Sequence, residues 1–322
     1  MILVEFDLAG AEWVVVAYLA NDPNMIEVVE SGKSPHIVTG ALITDVPEPL
    51  VIADHKLLGN ATDPGLIAQL RREKLPELIE LHEKDAIFLP RSMSIRQSGK
   101  KSNHGLNYGM KYRRAALEWE IMESEAAPIV AAYTEVAYPG IPKWWEATRQ
   151  TMKENDRTLT NCFGRKVRLL GEWGSDLFDK AYSFVPQSTV VDIVLEAMCA
   201  AFEDTSEPFQ RMNLGAQVHD SLMALYPTDN WGDLTHFCHQ MVEYMRPELN
   251  YGGHTFRLNV DIKVGISWGD MHSVKTPEEI PEVYAALVAS ERPRLASDAA
   301  EKAEWQTLYH PDQEAHLQAL AD

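Results

Sequence analysis

A chain of 322 residues has room for one large domain or two smaller ones, and an apolar content of 45% is that of a folded globular protein. A net charge of -19 argues against indiscriminate nucleic-acid binding, which normally uses a basic surface. No apolar run approaches the roughly 20 residues of a membrane span, and the opening MILVEFDLAG lacks the basic n-region of a signal peptide; a cytoplasmic protein without membrane contact is expected.

In chain order, Ile2 to Phe6 reads as a strand running into Asp7, and helical character spans Glu12 to Ala20. Leu66 to Lys84 is an amphipathic helical stretch interrupted by Pro76. A further helix begins at Ser92 or Ser94, both N-cap residue types following Pro90. Ala115 to Val136 and Ile141 to Glu154 read as helices, and Thr158 to Leu170 as two short strands about Gly164. Val185 to Phe202 reads as a strongly amphipathic helix, Asn213 to Tyr226 as a hairpin turning at His219 and Asp220, Trp231 to Leu249 as a helix and Phe256 to Trp268 as a strand. Cys162, Cys199 and Cys238 show no CxxC spacing, so reduced structural thiols are expected.

The charge is segregated. Between Arg91 and Arg114 lie seven Lys or Arg and no acid, whereas Ser273 to Asp322 carries ten acids against four bases. In RQSGKKSNHGLNYG (Arg96 to Gly109), an i, i+4 ladder puts Arg96, Lys100, His104 and Tyr108 on one slowly turning stripe. Two cations one turn apart can grip a triphosphate, His104 and Tyr108 extend the stripe as a stacking surface, and Gly105 and Gly109 would open space for a base pair. A solvated basic helix closed by a glycine C-cap is the competing reading. Asp7 ends an apolar strand and Asp220 lies in an apolar hairpin, where an unpaired carboxylate is costly. Two distant acids suit a chemistry in which carboxylates hold two divalent ions about 3.5–4 Å apart.

The order and spacing of Asp7-Leu8-Ala9-Gly10-Ala11-Glu12, Arg96 to Gly109 and Gln217-Val218-His219-Asp220-Ser221 resemble motifs A, B and C of family A DNA polymerases, the bacterial DNA polymerase I group. The resemblance covers roughly residues 1 to 271. It implies an α+β right-hand polymerase fold, with an antiparallel palm sheet and helical fingers, that transfers deoxynucleotides to a primer 3′-hydroxyl using two Mg2+ ions. It makes Asp7 and Asp220 metal ligands and catalytic residues, with the Leu8 carbonyl as a further ligand, and assigns Arg96 and Lys100 to the triphosphate of the incoming dNTP. Glu12 matches the glutamate that closes the space of a ribose 2′-hydroxyl; an exposed first-turn acid is the alternative. His104 occupies a site usually held by Phe or Tyr that influences discrimination at the sugar 3′ position, and Tyr108 and Asn103 fall on pattern positions.

The same resemblance places His36 near the incoming phosphates, or else as a capping histidine. Arg165 and Arg168, in FGRKVR, match residues beside the primer, while Gln187 and Gln217 match glutamines that follow the minor groove, or are satisfied buried amides; His219 matches a primer-terminus histidine. Ser221 departs from the bacterial pattern, where Glu follows His-Asp, and looks more like the single-subunit phage RNA polymerases. The implied organisation is a first palm segment over 1–44, an insertion over 45–90, fingers over 91–184, a second palm segment over 185–271 and an acidic tail over 272–322. With only six residues before Asp7, the expected partners are primer-template DNA, dNTPs and a separate polypeptide supplying thumb and exonuclease portions, with the insertion and tail as docking surfaces. A single-subunit RNA polymerase core and a non-catalytic primer-template-binding subunit are the alternatives.

Overall fold

A computed structural model describes residues 1–84 and 88–290; the stretch of the acidic tail beyond residue 290 lies outside the described residues. In chain order the elements are β1 (Ile2–Leu8), α1 (Ala11–Leu19), α2 (Pro23–Glu30), α3 (Pro35–Thr44), α4 (Glu48–Leu58), α5 (Pro64–Lys74), α6 (Pro76–Glu83) and α7 (Ile95–Asn107). There follow α8 (Tyr112–Trp119), α9 (Glu123–Ala131), a π-helical segment (Ala132–Ala137), α10 (Gly140–Glu154), β2 (Thr158–Thr160), β3 (Lys166–Arg168) and α11 (Ser175–Glu203). The last elements are α12 (Glu207–Gln210), β4 (Asn213–Val218), β5 (Ser221–Tyr226), α13 (Trp231–Tyr244), β6 (Leu249–Tyr251), β7 (His254–Phe256), β8 (Val260–Ser267) and β9 (Asp270–Val274).

Two compact units divide the chain. Among the described residues, the first comprises Met1–Asp7, Ala197–Tyr244 and residues 260–290; the second comprises Leu8–Glu196 and Met245–Asn259. The first is built on a five-stranded sheet ordered β4-β5-β1-β8-β9. β5 is antiparallel to both β4 and β1, and β8 is antiparallel to β9. Ile2, Val4 and Phe6 alternate onto one face of β1 and are fully buried. Phe6 meets Phe237 of α13 edge-on at 5.8 Å, and Tyr226 stacks on the same ring at 5.2 Å.

The second unit is helical. α3 and α7 cross at a close approach made by glycines: a Cβ on Gly99 would fall 2.2 Å from the His36 carbonyl oxygen and 2.6 Å from the Gly40 nitrogen, and one on Gly40 would fall 2.9 Å from the Ile95 oxygen. Backbone, not flexible side chains, fills that space. Asp22 caps α2 through the amides of Asn24 and Met25 and also accepts from Gly140 at the start of α10, so one buried carboxylate closes two helix starts.

The described residues of the 45–90 segment are built into this unit. Val46, Val51, Leu78, Leu89 and Ile95 form one apolar cluster. Between α4 and α5, fully buried Asp54 receives the Arg71 guanidinium at 2.7 and 3.2 Å, and Arg71 also donates to the carbonyls of Pro90 (2.5 Å) and Met93 (3.1 Å). The second Asp54 oxygen accepts from the Ile95 amide at 2.7 Å, the first residue of α7. Ser94 caps α7 and also lies 3.3 Å from His55. The segment expected to dock a partner thus braces the N-terminal end of the basic helix.

Several expected boundaries move. The Ala115–Val136 helix is broken, because Glu120 adopts φ 59° and closes α8, and its last turn is π-helical. α11 starts at Ser175, ten residues before the expected start. It is not strongly amphipathic, because Val191, Leu195 and Phe202 face outward. Among the described residues it is also the one single helix long and apolar enough to cross a membrane; its buried face and the charged Asp192 fit a helix packed inside a fold equally well. α13 stops at Tyr244 ahead of Arg246-Pro247, and the Phe256–Trp268 strand separates into the end of β7 and β8.

Candidate active site

In the first unit, strand register brings acids together. Asp7 pairs across to Ser221, so Asp220 is adjacent to the cross-strand partner of Asp7. Val218 pairs with Ser221, leaving His219 and Asp220 as a two-residue turn. His219 adopts φ 53°, an uncommon conformation for a non-glycine residue, and the Gln217 amide donates to its carbonyl at 2.8 Å. Ser221 is buried and donates to the Val218 carbonyl at 3.0 Å, so it closes the turn.

Burial raises the Asp7 carboxyl above its ordinary value; Lys263 opposes this, while Asp220, Glu5 and Asp261 add to it. Lys263, on β8, is the member of this cluster that sequence reasoning missed. Its ammonium lies 3.0 Å from Glu5 and 3.6 Å from Asp7, and these acids hold it above the usual lysine value against the pull of burial. A lone lysine in the run DIKVGIS was the available signal. Among the described residues, no group of three or more His, Cys, Asp and Glu converges into a ready-made metal cage. Two carboxylates with hard oxygen donors are still a set that Mg2+ accepts, since that ion takes one or two protein acids together with substrate phosphates. Leu8, at the end of β1, is buried.

In the second unit, α7 carries the basic stripe. Arg96 is half-buried, and Lys100 and His104 are exposed. Burial first, then the charges of Arg96 and Lys100, pull His36 down to about 4, so it is a neutral imidazole at neutral pH. Its Nδ1 faces the Asn103 amide nitrogen at 3.2 Å. Asn103 is buried and accepts from the Trp13 indole (3.1 Å), the Thr39 hydroxyl (2.7 Å) and the Tyr133 hydroxyl (2.9 Å), joining α1, α3, α7 and the π-helical segment.

Tyr108, the C-cap residue of α7, donates to Glu12 at 2.7 Å, and His104 lies 3.5 Å from the same Glu12 oxygen. Burial would raise Glu12, but hydrogen bonds from His104, Tyr108 and Gln187 and the attraction of His104 outweigh it and hold the carboxyl below its usual range. The two glycines behave differently from the expectation. Gly109 lies beyond the helix at φ +92° and ends it, and the open side of Gly105 is occupied by Met110, whose sulfur would lie 2.8 Å from an added Cβ. An open groove runs along Lys100, Lys101, His104, Tyr108 and Arg113.

The β2–β3 hairpin is pinned to α11. Arg165 binds Asp192 through both carboxylate oxygens at 2.5 to 3.0 Å, and Asn161 donates to Asp192 at 2.6 Å. These contacts outweigh burial and lower the Asp192 carboxyl. Arg168 is exposed and pairs with Asp156 at 2.6 Å. Asp192 is a second residue missed from sequence, although a lone acid within VVDIV marks it.

Residues 89–270, more than half of the chain, match the profile of DNA polymerase family A. The thermostable DNA polymerase I of Thermus aquaticus is 24% identical over 276 residues, which cover 83% of this chain and 27% of that protein. The DNA polymerase I of Treponema pallidum is 26% identical over 278 residues, covering 84% of this chain and 23% of the relative. The chain therefore spans about a quarter of the length of these relatives. Among solved structures, the POL domain of Pol1 from M. smegmatis, in complex with DNA primer-template and dNTP, shares the fold with a TM-score of 0.62 at 19% identity, covering 83% of this chain and 40% of that one. The mixture of helices with an antiparallel sheet is accordingly that of a polymerase domain, and the chain belongs to DNA polymerase family A.

Proposed function

We propose that this chain carries out template-directed DNA synthesis, transferring a deoxynucleotide from a dNTP to the 3′-hydroxyl of a primer paired to a template. The observation that supports the reading is the β1–β5 register, which pairs Asp7 with Ser221, next to the His219-Asp220 turn, so that the Asp220 charge is felt at the Asp7 carboxyl. Asp7 and Asp220, with the Leu8 carbonyl, would hold Mg2+, and two such ions would activate the primer hydroxyl and neutralise charge on the triphosphate. Arg96 and Lys100 bind the phosphates, Arg through its fork and Lys as a point charge. His36 is neutral, and because its Nδ1 accepts from Asn103 its proton sits on Nε2, available to a phosphate oxygen. Glu12, fixed by Tyr108, occupies the space of a ribose 2′-hydroxyl. Positioning and charge neutralisation supply most of the rate in such transfers. Arg168, Gln217 and His219 are exposed and available to DNA, whereas Arg165 orders the hairpin that presents Arg168.

Primer extension with Mg2+ and all four dNTPs, beside Asp7→Ala and Asp220→Ala, tests the reading. Extension by the intact chain and its loss in both variants is expected. DNA binding with no metal-dependent extension, even after addition of fractionated native extract to supply a thumb-bearing polypeptide, would support a non-catalytic subunit instead. A single-subunit RNA polymerase activity is favoured by Ser221 and opposed by the held position of Glu12; preference for ribonucleotides would reverse that balance.

A further inference from the structure

His104 lies on α7 one turn before Tyr108 and turns toward the acid on α1. Its Nδ1 lies 3.5 Å from the Glu12 oxygen that also accepts the Tyr108 hydroxyl at 2.7 Å. The imidazole meets the Tyr108 ring edge-on at 5.2 Å, so the two side chains of α7 support one another while both engage one carboxylate. We propose that His104 is a specificity-determining residue: as an imidazolium it forms an ion pair that, with Tyr108, pins Glu12 across the 2′ side of the sugar, so discrimination against ribonucleotides weakens as pH rises. The proposal rests on the polymerase reading above.

Each group facing the pair is identified. α1 contributes Glu12; α7 contributes Tyr108 and, one turn back, Lys100; α11 contributes the uncharged amide of Gln187. Lys100 and burial oppose protonation of His104, but the hydrogen bond and charge of Glu12 prevail and raise it above its ordinary value. Glu12 is held below the carboxylate range, and burial with the charge of Glu12 pushes the Tyr108 phenol far up. With Glu12 held low and Tyr108 held high, His104 is the member of the cluster whose charge changes as pH rises past the histidine range. When it releases its proton to solvent the ion pair is lost, and Glu12 keeps Tyr108 and Gln187 alone. A neutral aromatic ring at this position has no such dependence, because it carries no proton to lose.

The experiment measures kcat/KM for one dNTP and the matching rNTP from pH 6 to 9, for the intact chain and for His104→Phe and His104→Gln. The ratio of the two substrates cancels pH effects on metal, primer and phosphate binding. For a partly exposed ion pair, the dNTP:rNTP ratio should fall about two- to fivefold across the range in the intact chain and stay flat in both variants. In parallel, NMR titration of the His104 ring should show its midpoint above that of a free histidine and dropping in Glu12→Gln. A flat ratio in the intact chain with robust dNTP incorporation would overturn this inference and leave the polymerase reading standing. Absence of metal-dependent dNTP incorporation at every pH, with the same native fraction supplied, would overturn that reading and the inference with it. A His104 midpoint unmoved by Glu12→Gln would refute the ion pair irrespective of activity.

Discussion

Replacing Arg71 with methionine removes a guanidinium whose side chain is 4% exposed and whose partner, Asp54, is fully buried. The substitution leaves a carboxylate inside the second unit with the Ile95 amide as its remaining hydrogen-bond donor among the contacts described above, and it strips the Pro90 and Met93 carbonyls of their guanidinium donor. Breaking one side of a buried ion pair costs about 3–5 kcal/mol, a large part of the roughly 5–15 kcal/mol that stabilises a domain. For a unit of this size the melting temperature should fall by about 6–20 °C. Denaturant unfolding followed by tryptophan fluorescence gives the energy, and native-state hydrogen exchange at Ile95 and Ser98 locates it at the start of α7. Removing both charges in Asp54→Leu/Arg71→Met should recover most of the loss, since apolar replacement of a buried pair is often neutral. A single-variant loss below about 1 kcal/mol, the range of an exposed pair, would refute the assignment of this pair as the brace of the basic helix. So would a double variant no more stable than the single.

Further outcomes follow from other contacts. Gly99→Ala should cost about 1–3 kcal/mol or more, because its Cβ meets backbone of α3 at 2.2 Å, whereas Gly105→Ala should cost less because the flexible Met110 can move; thermal melts compare them. His36 titrates in the unfolded chain near 6.5 and in the folded one at about 4, so its contribution is present above 6.5 and is lost as pH falls through that window; up to about 3 kcal/mol should disappear, and His36→Gln should abolish that part of the pH dependence in urea unfolding. Lys263→Met should leave Glu5 without its ammonium partner and make the Asp7 region more negative, so Mn2+ binding followed by electron paramagnetic resonance should tighten several-fold while stability falls by about 1 kcal/mol.

Much of the candidate site was legible because it depends on short-range spacing. The i, i+4 ladder of α7, the Ser94 cap and the His219-Asp220 turn each depend on neighbours within a few residues. The paired helices about Pro76 were readable for the same reason. What escaped depends on partners remote in sequence. Nothing local to Asp54 announces Arg71, and nothing local to Gly99 announces the backbone of α3 pressed against it. Gly105 and Gly109 suggest space for a base pair because composition cannot tell an open notch from one filled by Met110, nor a helix interior from its end. The length of α11 was missed because Pro186 lies within it, where it would ordinarily mark a boundary.

The central strand of the sheet is the first element of the chain, yet its partners come late: Ile2 pairs with Tyr226, and β8 on its other side starts at Val260. During synthesis, the sheet partners of β1, β5 and β8, are therefore made only after nearly all of the helical unit has emerged. Long-range pairing is slow because loop closure must precede any reward from contact, so the helical unit has time to form first and the sheet closes around a strand made long before. An apolar β1 awaiting those partners is in that interval open to chaperones and to edge-to-edge association. Conditions that slow its capture should lower the yield of folded chain without altering the stability of the molecules that succeed.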